Sequence, residues 1–552
     1  MRLLIALLVL ALPAFANVTS SALTGRVLVG GAPARGVTVT AESPVLQAPR
    51  VTTTDARGRY WLAALPPGVY DVTFSLAAHT SLTKRAVLEL ARVARADGVL
   101  EPNPDEDSTT STAVTVSVAD TIYPTTHFDD GALDRLPAGR LGSAFLAPGS
   151  RFGNGIVDGV PDGAVPSEET IEQMTIVNGV SPVEWETRHG STIALRTRSG
   201  GEDFFFTLRD TITNDDDLQH FGEATAGGRI VPQRLWFFAG AWKGNESPGA
   251  PDRQGVLAKV DAQFGAAHHL GLSYSDTLQV FSTSPFEYDT ASLRYTGVAG
   301  PRFTSEVVAA RTENTDFFSG RASYHLGDHV LTAGYTDAGA AFASDRWSYA
   351  RWNVYAGVRH DDGNLDPRVA VSYDLHGNGA RAIVATWGEY TPPEVPGQTF
   401  RVMSLGFASA LGSGGSARAD FIRRESGTFW QHDFQLDARY RLFDRFEAGG
   451  TYTLTNRFES PFPSLFPEHT ANVWVGAELP IGDHEFGATV LQRYLEVSRF
   501  SEAPTDIALR YNIPFSRAGL LLAFDMTNVF DDSDGISLFP PRDYRFWLRV
   551  RM

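Results

Sequence analysis

The chain has 552 residues, no cysteine and a formal net charge of −17. That length exceeds one ordinary domain, the lack of cysteine excludes disulfides and thiolate metal sites, and the acidic balance argues against nucleic acid as a partner. Glycine (52), proline (31) and aromatics (11%) are plentiful while helical periodicity is scarce, which points to many short strands joined by turns.

The chain opens with MRLLIALLVLALPAFAN: one basic residue, an apolar run, then Ala14-Phe15-Ala16. Residues 1–16 read as a secretory signal with an A-x-A site and cleavage after Ala16. The other reading, an uncleaved anchor helix, is disfavoured because the run is short for a bilayer. No later stretch approaches the ~18 apolar residues of a membrane helix. The expectation is a protein that leaves the cytoplasm without a helical anchor.

Residues 22–101 differ from the rest. GRVLVGGAPARGVTVTAES gives a strand, a Gly-Gly turn and a second strand. A further strand follows, then a turn at Asp55-Ala56-Arg57-Gly58, a strand at Tyr60–Ala63, a Pro-Pro-Gly turn and another strand in which Val69, Val72 and Phe74 supply apolar side chains. The reading is a small β-sandwich. Its pattern G-x-V, G-V-x-V, T-D-x-x-G-x-Y, L-P-P-G-x-Y-x-V resembles the carboxypeptidase regulatory-like domain, also classed as a carbohydrate-binding-like fold. Peptidase chemistry does not follow. The H-x-x-E at His220-Phe221-Gly222-Glu223 lies in an apparent strand, where residues three apart point to opposite faces and cannot share a zinc ion.

Residues 102–112, acidic and rich in proline, serine and threonine, read as a linker. Next comes AVTVSVAD (113–120), with Val114, Val116 and Val118 on one face and Thr115 and Ser117 on the other. The stretch 113–202 then carries Leu136-Pro137-Ala138-Gly139-Arg140, Asp158-Gly159-Val160, Ile171-Glu172 through Gly179, and Thr197-Arg198-Ser199-Gly200.

From residue 203 to 552, alternating segments repeat to the end. Phe434, Leu436, Ala438, Tyr440 and Leu442 share one face against Asp433, Gln435, Asp437, Arg439 and Arg441; Phe446, Ala448, Tyr452 and Leu454 oppose Arg445, Glu447, Thr451 and Thr453. A soluble sandwich also alternates. Here, however, the polar face carries charges of both signs in strand after strand, and apolar outside with polar inside is the signature of a transmembrane β-barrel. Connections also alternate in length, with short turns such as 326–329, 375–379, 413–415, 442–445 and 481–484 set against longer ones at 391–398, 457–469, 497–504 and 530–543. Counting segments gives about 22 antiparallel strands, and a barrel near that size needs a plug. Residues 113–202 are the candidate. The terminal DYRFWLRVRM places Tyr544, Phe546, Leu548 and Val550 toward lipid and Arg545, Arg549 and Arg551 toward the lumen, pairing with the first strand to close the barrel.

The order of these segments resembles the TonB-dependent outer-membrane receptors, especially the Oar-like branch with an N-terminal regulatory-like module. DPRVAVSYDLHGNGARAIVATWGEY (366–390), DMTNVFDD (525–532) and the terminal PPRDYRFWLRVRM resemble the same family. The resemblance implies a plug motif at Arg140, Asp158, Gly159, Glu172 and Gly179. It implies a segment, here Val114, Thr115, Val116, Ser117 and Val118, captured by a TonB-type energy-coupling protein through strand addition; the alternative is that 113–120 is the plug's first strand. It also implies outer-membrane lipid as surroundings, a periplasmic N-terminal domain, and a closing signal at Tyr544, Phe546, Leu548, Val550 and Met552 read by the barrel-assembly machinery. That signal usually ends in phenylalanine, so Met552 departs from it. The plug looks abbreviated and several loops are short. The activity implied is binding of an external small solute, peptide or glycan and its passage through the lumen. The rivals are a non-transporting binding or adhesion barrel and a passive channel.

Other chemistry is thin. Clustered acids at 214–217, 361–366 and 531–535 do not match a full calcium loop and read as solvated loop tips. Phe458, Phe462 and Phe466 sit in a proline-rich outer loop and belong either to a ligand site or to an interfacial aromatic belt. His268 and His269 face opposite ways on a strand. Lys84, Lys243 and Lys259 are the only lysines, no G-K dipeptide allows a Walker loop, and no nucleophile–base pair stands out. Neither a cofactor, a metal nor enzyme activity is expected.

Overall fold

The computed structural model describes residues 21–552 apart from loop and linker segments, chiefly 89–92, 103–108, 113–122, 138–153, 186–191, 246–251, 392–397, 459–468 and 531–541. The signal segment, Val114–Val118, Arg140, Phe462 and Phe466 therefore lie outside the described residues.

Two five-stranded sheets make the N-terminal sandwich. In one, Ser21–Val29 lies between Ala32–Pro33 and Arg59–Leu65 and also pairs in parallel with Val93–Arg95 and Gly98–Leu100. The other runs Thr109–Thr112, Ser81–Leu88, Gly68–Ser75, Thr38–Glu42, Arg50–Thr53. Leu23, Val27, Val39, Tyr70, Val72 and Phe74 are fully or almost fully buried between them. In the strand Gly68–Ser75, Tyr70, Val72 and Phe74 point inward by period 2, and Val69 falls on the solvent face. The T-D-x-x-G-x-Y motif acquires a mechanism. Thr54 Oγ1 accepts from Val37 N at 2.9 Å and donates to Ala34 O at 2.7 Å. Asp55 Oδ1 accepts from the backbone of Arg57 and Arg59 at 2.8 and 2.9 Å, and Tyr60 Oη donates to Ala96 O at 2.7 Å. The end of the linker is not free chain, because Thr109–Thr112 adds a parallel edge strand to the sandwich, Thr109 opposite Ser81 and Thr112 opposite Lys84.

The plug is a five-stranded sheet ordered Thr125–Phe128, Ile171–Val177, Thr192–Thr197, Asn154–Val157, Val160–Pro161, with a short helix Asp130–Arg135 capped by Asp129, whose side chain accepts from Ala132 N. It has no closed core of its own. Phe128, Leu133, Ile171, Met174 and Ile176 finish their packing against the barrel's Trp474 and Leu491. Val180, Val183 and Trp185 do so against Phe342, Tyr355, Tyr390 and Ile422.

Among the described residues, 22 strands from Phe205–Asn214 to Asp543–Arg551 close into an antiparallel barrel, with a short extra strand, Phe500–Glu502, pairing with His484–Val497. Leu208 lies opposite Val550, Ile212 opposite Phe546 and Asn214 opposite Tyr544, so the last strand joins the first and no edge remains. Met552 continues the seam: its backbone exchanges hydrogen bonds with Phe206 at 2.9 and 3.0 Å. Side chains follow period 2 throughout. Phe434, Leu436 and Tyr440 are exposed on the outside, whereas Asp433 and Gln435 are buried inside. Phe546 is exposed on the outer face and Trp547 and Arg549 are buried on the inner one. Histidine–aromatic pairs mark both ends of the outer wall. His268–Tyr295 and His484–Tyr511, hydrogen-bonded at 2.8 and 2.7 Å, lie near the end carrying Phe205 and Met552, here the base. Trp430–His432 and Tyr452–His469 lie toward the opposite rim. His220 and Glu223 point to opposite faces, as do His268 and His269: the first of each is outside, while Glu223 is buried inside and His269 lies near Asp261.

The alternation of connection lengths begins only after Tyr390 and is broken there at Ser426 to Phe429. Rim connections from Tyr390 to Phe400, Phe458 to His469 and Thr527 to Asp543 are long, but those from Phe281 to Ser284, Asp361 to Asn364 and Ser426 to Phe429 are as short as the base turns.

Phe74→Ala removes a fully buried ring set edge-on to Tyr60 at 5.7 Å, and we expect a loss of about 3–5 kcal/mol in the sandwich. Hydrogen exchange should speed up across peptides of residues 22–101 and stay unchanged in barrel peptides; slowed or unchanged exchange in the sandwich contradicts the packing described.

Candidate functional site

The barrel's inward parity points arginine, lysine and carboxylate side chains at the plug; besides contacts on the plug's first strand, where Asp437 accepts from the Thr126 hydroxyl at 3.1 Å and Arg439 donates to His127 O at 3.0 Å, three groups of contacts among the described residues hold the two together. At the base, Arg549 forks onto Asp134 of the plug helix, both guanidinium nitrogens at 2.7 Å, and reaches Glu169 at 3.1 Å. Arg209 contacts Glu168 of the plug at 3.3 Å and Glu223 of the wall at 3.4 Å, and Glu223 accepts from Glu169 N at 3.0 Å. Arg209, Arg510 and Arg549 gather around the Trp547 ring, 4.5, 4.9 and 5.2 Å from its centre, while its Nε1 donates to Asp525 at 2.9 Å. Arg135 of the plug bridges to Glu447 at 2.9 Å. Beside this helix a cavity of about 230 Å³ is lined by Asp134, Arg441, Glu447, Trp474 and Glu478 among others.

The second group explains the D-G-V and T-x-S-G motifs. Asp158 and Gly159 form a two-residue hairpin between Asn154–Val157 and Val160–Pro161, both with positive φ (49° and 88°), the conformation that Asp and Gly tolerate. The turn aims the Asp158 carboxylate at Thr197: Oδ1 accepts from Thr197 N at 3.0 Å and Oδ2 from the Thr197 hydroxyl. Lys259 of the wall completes the group, its Nζ lying 3.2 Å from Asp158 Oδ2 and 2.8 and 3.1 Å from Thr197 Oγ1 and O. Arg294 donates to the Asp158 carbonyl. Burial alone would raise the Asp158 carboxyl, but Lys259, Arg294 and the two Thr197 hydrogen bonds outweigh it and hold it at about 2. Glu172, in the irregular pairing between Ile171 and Gln173, meets Arg196 at 3.3 Å.

The third group grips the plug loop that follows Gly179, itself at φ 82°. Tyr390 Oη accepts from Ser181 N at 2.9 Å and Tyr355 Oη from Val183 N at 2.8 Å. Tyr355 and Ser344 donate to Glu184 at 2.8 and 2.9 Å. Arg368, over the Tyr390 ring at 4.2 Å, donates to Pro182 O at 2.6 Å and Trp185 O at 3.2 Å. Gly357 makes room for the loop, since a Cβ there would stand 2.8 Å from Val183.

Of the residues singled out in the sequence, Asp158, Gly159 and Glu172 fall in the second group and Gly179 starts the third, so the plug motif spans two separate contacts with the wall. Phe458 ends the strand Phe446–Phe458, and the loop beyond it is outside the described residues. Tyr544, Phe546, Leu548 and Val550 share the outer face of the seam opposite Arg545, Arg549 and Arg551. In the acidic stretch 361–366, Asp361 meets Arg359 at 3.5 Å and Asp366 accepts from Thr391 at 3.0 Å. Sequence reasoning missed Lys259, Arg294, Arg368, Tyr355, Tyr390 and Glu184. Only Lys259 left a signal: one of three lysines, on the inward register of its strand.

Residues 22–101 match the family described as carboxypeptidase regulatory-like domain. The chain is 30% identical over 265 residues to the TonB-dependent transporter Oar of Myxococcus xanthus, an alignment covering 38% of this chain and 25% of that protein. It thus matches about a quarter of that relative's length. Among solved structures it is similar to the ferric-catecholate import receptor Fiu from E. coli K12, with TM-score 0.65, 12% identity, and 79% of this chain and 97% of that one covered. It is also similar to the siderophore receptor PirA from Acinetobacter baumannii, with TM-score 0.65, 11% identity, and 80% and 100% covered. At that identity the likeness to the two structures establishes the shared fold: a plugged barrel.

Lys259 and Arg294 of the wall hold this carboxyl down only while the plug is docked, so their part of the shift stabilises docking fully above the ordinary carboxylate value near 3.8 and is lost as pH falls through about 2. The whole shift corresponds to roughly 2 kcal/mol, which is the ceiling for the wall's share. Asp158→Asn keeps the hairpin and should flatten the dependence of plug retention on pH between about 4 and 2. Lys259→Met leaves the buried carboxylate with Arg294 as its remaining nearby cation and should destabilise the docked plug at neutral pH by up to about 3 kcal/mol. The readout for both is the urea concentration at which the protein in a planar bilayer begins to conduct.

Proposed function

We propose that this chain is an outer-membrane TonB-dependent receptor that binds an external solute and passes it through its barrel when the plug is drawn aside. The observation that carries the reading is a closed barrel whose lumen holds a plug fastened by non-covalent contacts, polar and apolar, in a chain without cysteine. Such contacts form no covalent bond, and a matched buried pair is close to neutral in net energy, so they can be broken and remade. The apolar outer wall with aromatic residues at both ends suits lipid, and the sandwich at the base suits the periplasm. A TonB-type protein supplies the pull at residues 113–120 by strand addition. Residues 1–16 direct export, and the seam strand ending at Met552 is the element offered to the barrel-assembly machinery. The solute is a small molecule, peptide or glycan; the similar solved structures are named for iron chelates. No covalent chemistry is part of the mechanism.

A second reading, a binding or adhesion barrel with a permanent plug, draws support from the tight rim connections at Phe281–Ser284, Asp361–Asn364 and Ser426–Phe429. The two separate on one pair of measurements. The intact protein should be nearly non-conducting in planar bilayers, and deleting residues 113–120 should abolish energised uptake. Unchanged uptake removes TonB coupling, and a steady porin-like current favours a passive channel.

A further inference from the structure

We propose that the N-terminal sandwich is a removable cover seated in the base of the barrel, which has to leave before the plug can. The inference deepens the transport reading and rests on it for the second step, but the seating stands on its own contacts. Arg59 of the sandwich meets Asp328, in the base turn between Asp316–Leu326 and His329–Thr336, at 3.3 Å. Trp61 stacks on His325, on the inner face at the base, with ring centres 4.6 Å apart and planes 20° from parallel. Leu46, Arg50 and Pro66 close one side of a cavity of about 80 Å³ whose other walls include Asp158 and Ser199 of the plug and Lys259 and Arg294 of the barrel. The sandwich therefore lies over the Asp158–Lys259 fastening. Burial at this junction lowers the Arg50 guanidinium from its usual value, as expected for a side chain inserted between two bodies.

The strength of the seat fits a cover that comes away. Arg59 and Asp328 both keep access to solvent, with side chains 24% and 44% exposed, so their attraction is screened. The connectivity sets the order of events. Thr109–Thr112, the last described residues before the segment offered to TonB, are hydrogen-bonded to the sandwich strand Ser81–Leu88. The plug's first described strand starts only at Thr125. A pull applied between these points loads the edge of the sandwich as well as the plug. The sandwich has the weaker hold, so it is displaced first.

The absence of cysteine makes the test clean. Ser199→Cys, facing the covered cavity, is introduced into the full-length protein in outer-membrane vesicles opened to expose both faces. Its reaction with a membrane-impermeant maleimide is timed against a cysteine placed at exposed Arg35. With the cover seated, Ser199→Cys should label at least tenfold more slowly than Arg35→Cys. Adding Arg59→Glu and Trp61→Ala should raise the Ser199→Cys rate at least tenfold. In the Arg59→Glu background alone, Asp328→Arg should restore protection by reversing the ion pair. The electrophoretic mobility of the unboiled barrel checks that each variant is folded. Equal rates at Ser199→Cys and Arg35→Cys, or no gain on breaking the two contacts in a folded barrel, overturn the cover. Because labelling needs no transport, a chain that shows the tenfold change but takes up no solute keeps the cover and loses the transport reading.

Discussion

A closed barrel whose outer wall is largely apolar turns many of its charges inward, and charges inside a filled lumen need partners. This constraint shapes the rest of the molecule. The wall's Arg209, Lys259, Arg294, Arg368 and Arg549 find carboxylates and carbonyls on the plug, and the plug finds in the wall the apolar surface it lacks. Neither body is complete alone. A buried charge that loses its partner is strongly destabilising, whereas a matched pair is close to neutral. The fit between plug and wall is therefore enforced more by the cost of mismatch than by the strength of any one bond.

The contacts are also distributed. Three groups, at the plug helix, the Asp158 hairpin and the loop after Gly179, lie on different arcs of the wall and use different chemistry: forked ion pairs, a lysine shared between a carboxylate and a threonine, and tyrosine hydroxyls receiving backbone amides.

Much of the fold was legible in the sequence, because strand periodicity of two with charges on one face has few structural solutions. The terminal alternation of Tyr544, Phe546, Leu548 and Val550 with arginines read as a closing strand, and it pairs with Phe205–Asn214. The regulatory-like module was legible from turn chemistry around Asp55 and Tyr60, although the inward face of Gly68–Ser75 was not, because apolar Val69 stands next to Tyr70, which takes the core position. The plug contacts were not legible. Asp158 and Thr197 are near neighbours only through a parallel strand pair, Asn154–Val157 beside Thr192–Thr197. Tyr355 and Tyr390 meet the plug far along the chain from the loop they hold. Local pattern carries no information about which inward side chain stands opposite which plug atom.

The uneven rim gives the outer opening a direction. From Phe205 to Tyr390 no connection at that end is longer than the one between Gly244 and Asp252, and several turn back within a few residues. From Tyr390 onward the connections from Tyr390 to Phe400, Phe458 to His469 and Thr527 to Asp543 each contain more chain than any of these. The chain at the opening is thus unevenly shared, and most of it is contributed by one arc of the wall.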